Sequence, residues 1–568
     1  MEEFADVIVV GGGIAGLVAA LSAAERGADV LLVSATPLGS GGDSAIASGG
    51  FAVAANRADG DSPSTHRDDT LRSGHGLATR AVVEQVTENG PAMLERLTAL
   101  GARFARHDNG EFAFAPIPGH SRPRSVRCEG GGTGAVMGPL IEAVRRSGIR
   151  IREDVFVRRL RQGPSGRVTG VDLLDREGRP STEASRTTIL AAGGLGQLYA
   201  HTSNAEDIFG SGYALALHAG CSVVDLEFIQ FTPTALVYPT FAAGMSPGGA
   251  LMAQPGVTLR NANGERFMRR YDPERGECTT RDVLSRAIDT EVREGRGTSH
   301  GGVYLDLSGT TREAIFDISG RFLRAMDAGG FDPFEQRAEV APETHFCMGG
   351  VVIDETGETE LPGLFAAGEV AAGMHGANRL NSNALTEAAV MGWVAGESAA
   401  KEAAAAAGAT VDLASSSNLD DGAPPRMSPL PPSQFFELRN DLQRVVQVSG
   451  GVLRSVSDLL DGISRVDAIE KSVLDTGKGS ARDALEQMCL VARVVLYSAL
   501  RREESRGAHY RADFPQTDAV TSHTRVRLVG GELDVATLPA GTGAEHARER
   551  RRALAGNLAD RQTSTSKR

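Results

Sequence analysis

An α/β fold with a Rossmann-like nucleotide-binding domain is what this sequence predicts, and three observations carry the prediction. Residues 5–10 are a short run apolar but for Asp6, Gly11-Gly12-Gly13-Ile14-Ala15-Gly16 follows at once, and an Ala-rich stretch then leads to a second run, apolar after Asp29, at 29–33. Near-continuous apolar runs mark strands covered on both faces, as in a parallel sheet. The glycine run fits G-x-G-x-x-G in the context that makes it informative, after a strand and opening a helix at residues 14–26. Gly11 permits the tight turn, Gly13 lets the backbone approach a pyrophosphate, and Gly16 lets helix and strand pack closely. The pyrophosphate then rests on the helix N-terminus, beside Ala15, where free N–H groups and the dipole favour an anion.

The remaining elements follow in order. Residues 79–100 and 135–147 read as helices covering the sheet, and 187–192 as a second buried strand ending in Gly193-Gly194. From about residue 233 the texture turns irregular and rich in Pro and Gly, with a helix at 280–294 and a strand at 303–307. Strand-like runs at 350–353 and 364–367 return to nucleotide-binding texture and end in Gly368-Glu369; a helix from 383 to 406 closes that section. Residues 407–433, rich in Ala, Ser, Pro and Asp, read as a linker. Residues 435–505 show helical periodicity, as at Leu438, Leu442, Val445 and Val446. The last 30 residues, with a charge run from Glu545 to Arg552, read as a solvated or frayed tail.

Bulk properties narrow the function. The chain has 568 residues, 41% of them hydrophobic, 69 glycines and a net charge of −13. An acidic balance argues against a nucleic-acid partner, yet a local Arg cluster can still hold an anionic metabolite. Cys128, Cys221, Cys278, Cys347 and Cys489 form no CxxC pair, which leaves no sequence-local zinc, iron–sulfur or haem motif and suggests a reducing compartment. No basic n-region or twin-Arg signal opens the chain, and no apolar run approaches the roughly 18–20 residues of a membrane span, so the expected location is the cytoplasm. The second strand ends at Ser34 rather than at the Asp or Glu that would hold an NAD ribose. Gly368-Glu369, far along the chain, points instead to a cofactor spanning two distant segments, which FAD does better than NAD.

Several further segments carry a more specific resemblance. Ala45-Ile46-Ala47-Ser48-Gly49-Gly50 looks like an A-Q-G-G flavin loop with Ser48 in place of Gln, and Leu190 to Gly194, through Ala192 and Gly193, leads toward Asp225-Leu-Glu-Phe-Ile-Gln-Phe-Thr-Pro-Thr234. Thr280-Arg281-Asp282-Val283, Thr344-His345-Phe-Cys-Met-Gly-Gly350, His375-Gly-Ala-Asn-Arg379-Leu-Asn-Ser-Asn383 and Glu504-Ser-Arg-Gly-Ala-His-Tyr510 complete the set. Together they resemble the succinate dehydrogenase/fumarate reductase flavoprotein family, most of all its L-aspartate oxidase branch, over residues 5–515. That family also places Ser where Ser34 stands.

The resemblance implies a Rossmann-like FAD-binding domain (1–232 and 341–406) interrupted by an α+β capping domain (233–340). After the linker it implies a helical C-terminal domain (434–520), with an extended tail (521–568). It implies that Ser48, Gly49, Gly50, Ala192, Gly193, Gly368, Glu369, Asn383, Ala384 and Leu385 join the dinucleotide turn in holding FAD. Membrane-bound members attach the flavin covalently to a His whose matching position here is Asp43, so the FAD is expected to be non-covalent. His345 and Arg379 would grip a substrate carboxylate, the Arg as a charge-assisted fork. Arg281 would be the acid/base, relayed through Asp282 because a guanidinium pKa exceeds about 12. His120 matches a Gly-His-Ser turn of the L-aspartate oxidase branch and is a further substrate candidate. Arg122, Arg124 and Arg127 read as a solvated basic loop.

Departures from the family cluster on the far side of the substrate. Its His in F-H-P-T is here Thr232, its T-E-x-x-R-G-E-G segment is here Gly249 to Gly256, and a Glu before G-G-H-S is here Ile117. One carboxylate clamp survives, whereas the groups for a second carboxylate and an ammonium are gone. A buried unpaired charge costs several kcal/mol, so succinate, fumarate and aspartate should bind poorly. The expected activity is hydride exchange between flavin N5 and a small carboxylate, forming C=C or C=N, with oxygen or another acceptor completing the cycle. The alternatives are a fumarate-reductase-like ene-reductase and a catalytically idle FAD-binding subunit.

Overall fold

Strand Glu3–Val10 runs down the middle of a seven-stranded sheet in this computed structural model, which describes residues 3–56, 60–117, 119–406, 430–477, 479–545 and 547–554. It pairs in parallel with Val30–Val33 on one side and Pro180–Leu190 on the other, and Val30–Val33 pairs with Arg150–Arg152. Pro180–Leu190 is 11 residues long and serves two neighbours on its other edge. Its first half pairs antiparallel with Val168–Leu174 and its last three residues parallel with Leu364–Ala366. The two halves of the nucleotide domain, far apart in sequence, thus join one sheet.

Helix Ile14–Glu25 is apolar nearly all round because it is covered on both sides, by the sheet and by helix Asn383–Ala405. Small residues set that close approach: a side chain at Gly392 would run into the backbone of Ala15, and one at Gly396 into that of Ala19. This clamps the dinucleotide turn against the start of the later helix, where the second cofactor segment lies.

A separate antiparallel sheet is built from Ile229–Tyr238, Ala338–Cys347, Val303–Asp306 and Thr258–Arg260. With helices Arg281–Glu291 and Arg312–Ala328 it encloses its own core of Leu236, Leu259, Ile288, Leu305, Phe322 and Val340. The two long strands belong to both bodies: Ile229, Phe231 and Cys347 at one end sit in the main core, Leu236 and Val340 in the capping core. Cofactor body and cap therefore share a rigid β-ribbon, and the cavity described below opens beside it.

Helices Pro432–Ser449, Val456–Leu474 and Ser480–Arg501 form the C-terminal bundle. Most of the expected linker, 407–429, lies outside the described residues, and 432–433 already belong to the first of these helices. Among the described residues no helix is long and apolar enough to cross a membrane.

The tail expectation needs correction. Ser522–Val529 and Glu532–Pro539 form a hairpin across Gly530-Gly531 that extends a sheet with Val223–Val224. The charge run beyond it is only partly solvated: Glu545, Glu549 and Arg552 are exposed, while Arg548, Arg550 and Arg551 pair with Asp354, Glu355, Glu358 and Glu360. The signal was present, because a Gly-Gly turn between two alternating runs is a hairpin pattern.

Candidate active site

A continuous cavity of about 840 Å³ runs from the dinucleotide turn to the capping sheet. Its first half is a cradle of backbone and small side chains: Gly11, Gly13, Ala15, Ser34, Ser48, Gly49, Gly50, Ala192 and Gly193 all line it. Gly11 has φ +119° and faces the carbonyl of Ala191, a position no side chain could take. The Ser44 hydroxyl accepts from Ile14 N at 3.1 Å and fixes the loop across the helix start. Gly368, Glu369, Ala384 and Leu385 enter from the second segment. Glu369 is held by Cys347 N (2.8 Å), and burial keeps its carboxyl well above the usual range. Asp43 accepts from Ala205 N at 2.8 Å; its other oxygen is buried without a partner among the described residues, and burial, then Asp207, raise its pKa to about 7. Such a long, amide-lined cradle at a helix N-terminus fits a dinucleotide.

The second half of the cavity is cationic. Arg379 is buried, yet the oxygen it meets belongs to a neutral amide: Gln230 Oε1 accepts from Nε at 3.1 Å and from Nη2 at 2.8 Å. Gln230 returns the contact by donating to the Arg379 carbonyl at 2.9 Å. The guanidinium lies over Phe346 with 4.5 Å to the ring centroid, and Nη1 has no hydrogen-bond partner among the described residues. Burial pushes the Arg379 pKa down to about 10, with Arg281 adding to the effect and Glu369 opposing it. His345 stands in the same wall, its Nδ1 2.8 Å from Ser203 Oγ. Burial, then Arg379 and Arg281, lower its pKa to about 3, so the imidazole is neutral at pH 7. Arg281 opens a capping helix; its residue surface is exposed, yet desolvation at its cavity end lowers its pKa. Asp282 does not serve as its relay: Asp282 pairs with Arg286 at 2.8 Å.

The turn joining the halves is conformationally unusual. Ser382, a non-glycine residue, has φ +67° and meets Ser125 Oγ at 2.8 Å. Left-handed backbone at a non-glycine residue persists only where surrounding contacts hold it, and here it sets Arg379 apart from the helix that begins at Asn383.

The distal wall carries Thr232, Pro233, Thr234, Gly244, Met245 and Glu343. Thr232 and Glu343 are cross-strand partners, and the register is irregular just beyond Thr232. Ile117 lines the cavity as expected, and at the next loop Gly248, the neighbour of the expected Gly249, lines it instead.

Three other expectations are redirected. His120 is not in the cavity wall; it contacts the Asn381 carbonyl (2.9 Å) and Arg124 (3.2 Å), bracing the loop that precedes Ser382. Asn383 is fully buried away from the cavity, bonded to His66 and Thr70. Gly16 acts by packing, since a side chain there would strike the carbonyl of Gly11. The basic loop is solvated at Arg122 and Arg127 but not at Arg124. Arg124 is fully buried, with Asp61 and Asp69 both at 2.8 Å, while Arg127 lines the cavity. Sequence reasoning missed Gln230, Ser203 and Glu343. Gln230 could have been found, because strand alternation puts it on the face of Thr232 two residues on.

A nucleotide cradle that runs into a cationic pocket beneath a capping sheet defines the class: a flavin-dependent oxidoreductase. The FAD binding domain family matches residues 6–385, and the fumarate reductase flavoprotein C-terminal family matches residues 439–530. The chain belongs to the succinate dehydrogenase/fumarate reductase flavoprotein family, and it is an FAD-dependent oxidoreductase of the L-aspartate oxidase and fumarate reductase type. It is 40% identical to the L-aspartate oxidase of Caulobacter vibrioides, covering 93% of this chain and 97% of that protein. It is 38% identical to one subunit of the fumarate reductase (CoM/CoB) of Methanothermobacter marburgensis, covering 90% of this chain and 95% of that protein. Among solved structures, the Mycobacterium smegmatis Sdh1 complex with UQ1 superimposes with a TM-score of 0.86 at 30% identity, covering 95% of each chain.

Proposed function

We propose that this enzyme holds a small monocarboxylate by Arg379 and His345 and oxidises it next to that carboxylate, forming C=C or C=N. The observation that carries this is Arg379: a buried guanidinium whose Nη1 is unbonded among the described residues, set beside a neutral imidazole and a second guanidinium, with an amide oxygen where a carboxylate would balance it. A ligand carboxylate supplies the missing counter-charge, through charge-assisted bonds from Nη1 and from His345. Gln230 keeps the guanidinium plane fixed as the anion arrives. FAD, when bound, supplies the two-electron acceptor at N5. Arg281 takes or returns the proton at the neighbouring carbon, helped by a pKa that desolvation lowers.

The FAD is held without a covalent bond, because Asp43 offers a carboxyl where an imidazole would be needed. The capping unit, 233–340, closes the substrate end. Aspartate and succinate are poor substrates in this reading, because Thr232 stands where a second carboxylate would need a cation and Ile117 where an α-ammonium would need a carboxylate. Anaerobic mixing with a panel of monocarboxylates, amino acids and dicarboxylates, followed by bleaching of the flavin band, tests it. Selective bleaching by monocarboxylates supports the reading. Bleaching by aspartate as fast as by the best of the panel sinks the specificity, and bleaching by none makes the chain an idle flavin carrier.

A further inference from the structure

Glu343 is a wall residue whose state neither the cofactor nor the carboxylate clamp explains. It is 1% exposed, its Oε2 is buried without a hydrogen-bond partner among the described residues, and it lines the same cavity as Arg379. Its position follows from the register of the shared β-ribbon: opposite residues of an antiparallel pair project to one face, so Thr232 and Glu343 stand side by side. Gly244 faces Oε2 without a side chain; a Cβ built there would stand 4.0 Å from that oxygen, at ordinary contact distance. Burial raises its pKa well above the usual range.

A carboxyl in this condition is costly unless something completes it. A second carboxylate suits it poorly, because the two acids would share one proton and leave a negative charge buried without a cation. It lies among hydroxyls, Thr232 and Thr234, that also accept hydrogen bonds. The pocket is thus bipolar, with guanidinium and imidazole at one pole and an unpartnered acid at the other.

We propose that Glu343, with Thr232, forms a subsite for a protonated amine at the end of the substrate remote from the clamped carboxylate, so that the substrate class is amino monocarboxylates. This rests on the carboxylate clamp proposed above. On binding, the ammonium donates to Glu343, which gives up its proton to solvent and becomes the counter-ion; no redox step is involved. Thr232 fills the place of the family's His with a hydroxyl that accepts from the same ammonium.

The test is binding to the FAD-loaded enzyme, read as perturbation of the flavin spectrum. The probes are three matched sets: β-alanine, γ-aminobutyrate and δ-aminovalerate; propionate, butyrate and valerate; malonate, succinate and glutarate. At one chain length the amino acid should bind at least about tenfold tighter than the plain acid, the difference one charge-assisted contact gives. The dicarboxylate should bind weakest. Glu343→Gln keeps the size and the neutral state of the apo side chain, and it should erase the amine preference while plain acids bind as before. Equal binding of amino and plain acids, or an unchanged preference in Glu343→Gln, overturns the subsite but leaves the clamp standing. A dicarboxylate binding tightest also overturns it. If no carboxylate of any kind perturbs the flavin, the clamp itself fails and the subsite falls with it.

Discussion

Two buried arginines of this molecule live in opposite circumstances. Arg502 joins the end of the last long helix to the turn at 225–227, and its guanidinium meets Asp225 (3.1 Å), Glu227 (2.6 Å) and Glu504 (2.9 Å). Although burial opposes it, those carboxylates raise the Arg502 pKa above its ordinary value. Arg379 is as deeply buried, meets an amide oxygen in place of any carboxylate, and is pushed down. A buried cation that the protein completes is structure; one left incomplete is a receptor for an anion. The difference separates machinery from scaffold without any appeal to motif.

The largest expected effects test that contrast directly. Arg379→Met should slow substrate-dependent flavin reduction by at least about a hundredfold, as expected when one partner of a buried charge pair is removed. Its Tm should hold or rise, because an uncompensated buried cation is gone. Arg502→Met should do the reverse, costing about 3–5 kcal/mol of stability by stranding Asp225, Glu227 and Glu504. Denaturant unfolding of both variants, with stopped-flow reduction of whatever remains folded, decides the matter. A stability loss in Arg379→Met equal to that in Arg502→Met would erase the distinction.

Arg281→Ala comes next. Arg281 sits on the cap rather than in the cradle, so FAD should remain bound while turnover falls by about a hundredfold or more, the range for a lost acid/base group. Unchanged turnover would move the proton step to another residue. Substitution of Asp282 should matter much less, because its partner is Arg286.

A third case is a buried carboxyl with no cation. Asp43 has a folded pKa of about 7 against an ordinary value of 3.8. At pH values below 3.8 both folded and unfolded chains hold the proton. Between 3.8 and about 7 only the folded chain does, so the stability associated with this group is lost progressively as pH rises through that window. Asp43→Asn should therefore unfold like the parent at about pH 4 in FAD-free protein. By about pH 8 it should be more stable than the parent by up to a few kcal/mol, since each pH unit between the two pKa values contributes about 1.4 kcal/mol. A pH-independent difference would contradict the assignment.

How much of this was legible in the sequence depended on whether the chemistry was local. The turn from Gly11 to Gly16 was legible because strand, glycines and helix are contiguous. His345 and Arg379 were legible only through the resemblance, since nothing near either residue in sequence states that they face each other. Glu343 gave no signal: within the run 338–347 it reads as one more strand position, and only the register against Thr232 turns it into the cavity. His120 and Arg124 went the other way. A Gly-His-Ser turn suggested a substrate contact and the three nearby arginines a solvated loop, whereas Asp61 and Asp69, from elsewhere in the chain, claim the central guanidinium. Burial partners that are distant in sequence decide such cases, and local patterns do not carry them.

The smallest expected effect lies at the C-terminal clamp, where the contrast between complete and incomplete charges should soften. Arg551 is partly exposed and spreads over Asp354 (2.8 Å), Glu358 (3.0 Å) and the Thr359 carbonyl. Burial raises the Glu358 pKa to about 7 in spite of Arg551, while Asp354 is held below its ordinary value, with Thr356 and Arg551 lowering it against burial. Arg551→Ala should cost about 1 kcal/mol at about pH 8, near the upper end for solvent-accessible pairs. As pH falls below about 7, Glu358 takes a proton in the folded state and one of the two carboxylates no longer needs the cation, so the loss should shrink. It should not vanish at about pH 4, because Asp354, held below its ordinary value, still carries its charge there. Flavin chemistry should not change, because none of these groups reaches the cavity; altered turnover in Arg551→Ala would mean that the clamp communicates with the site after all.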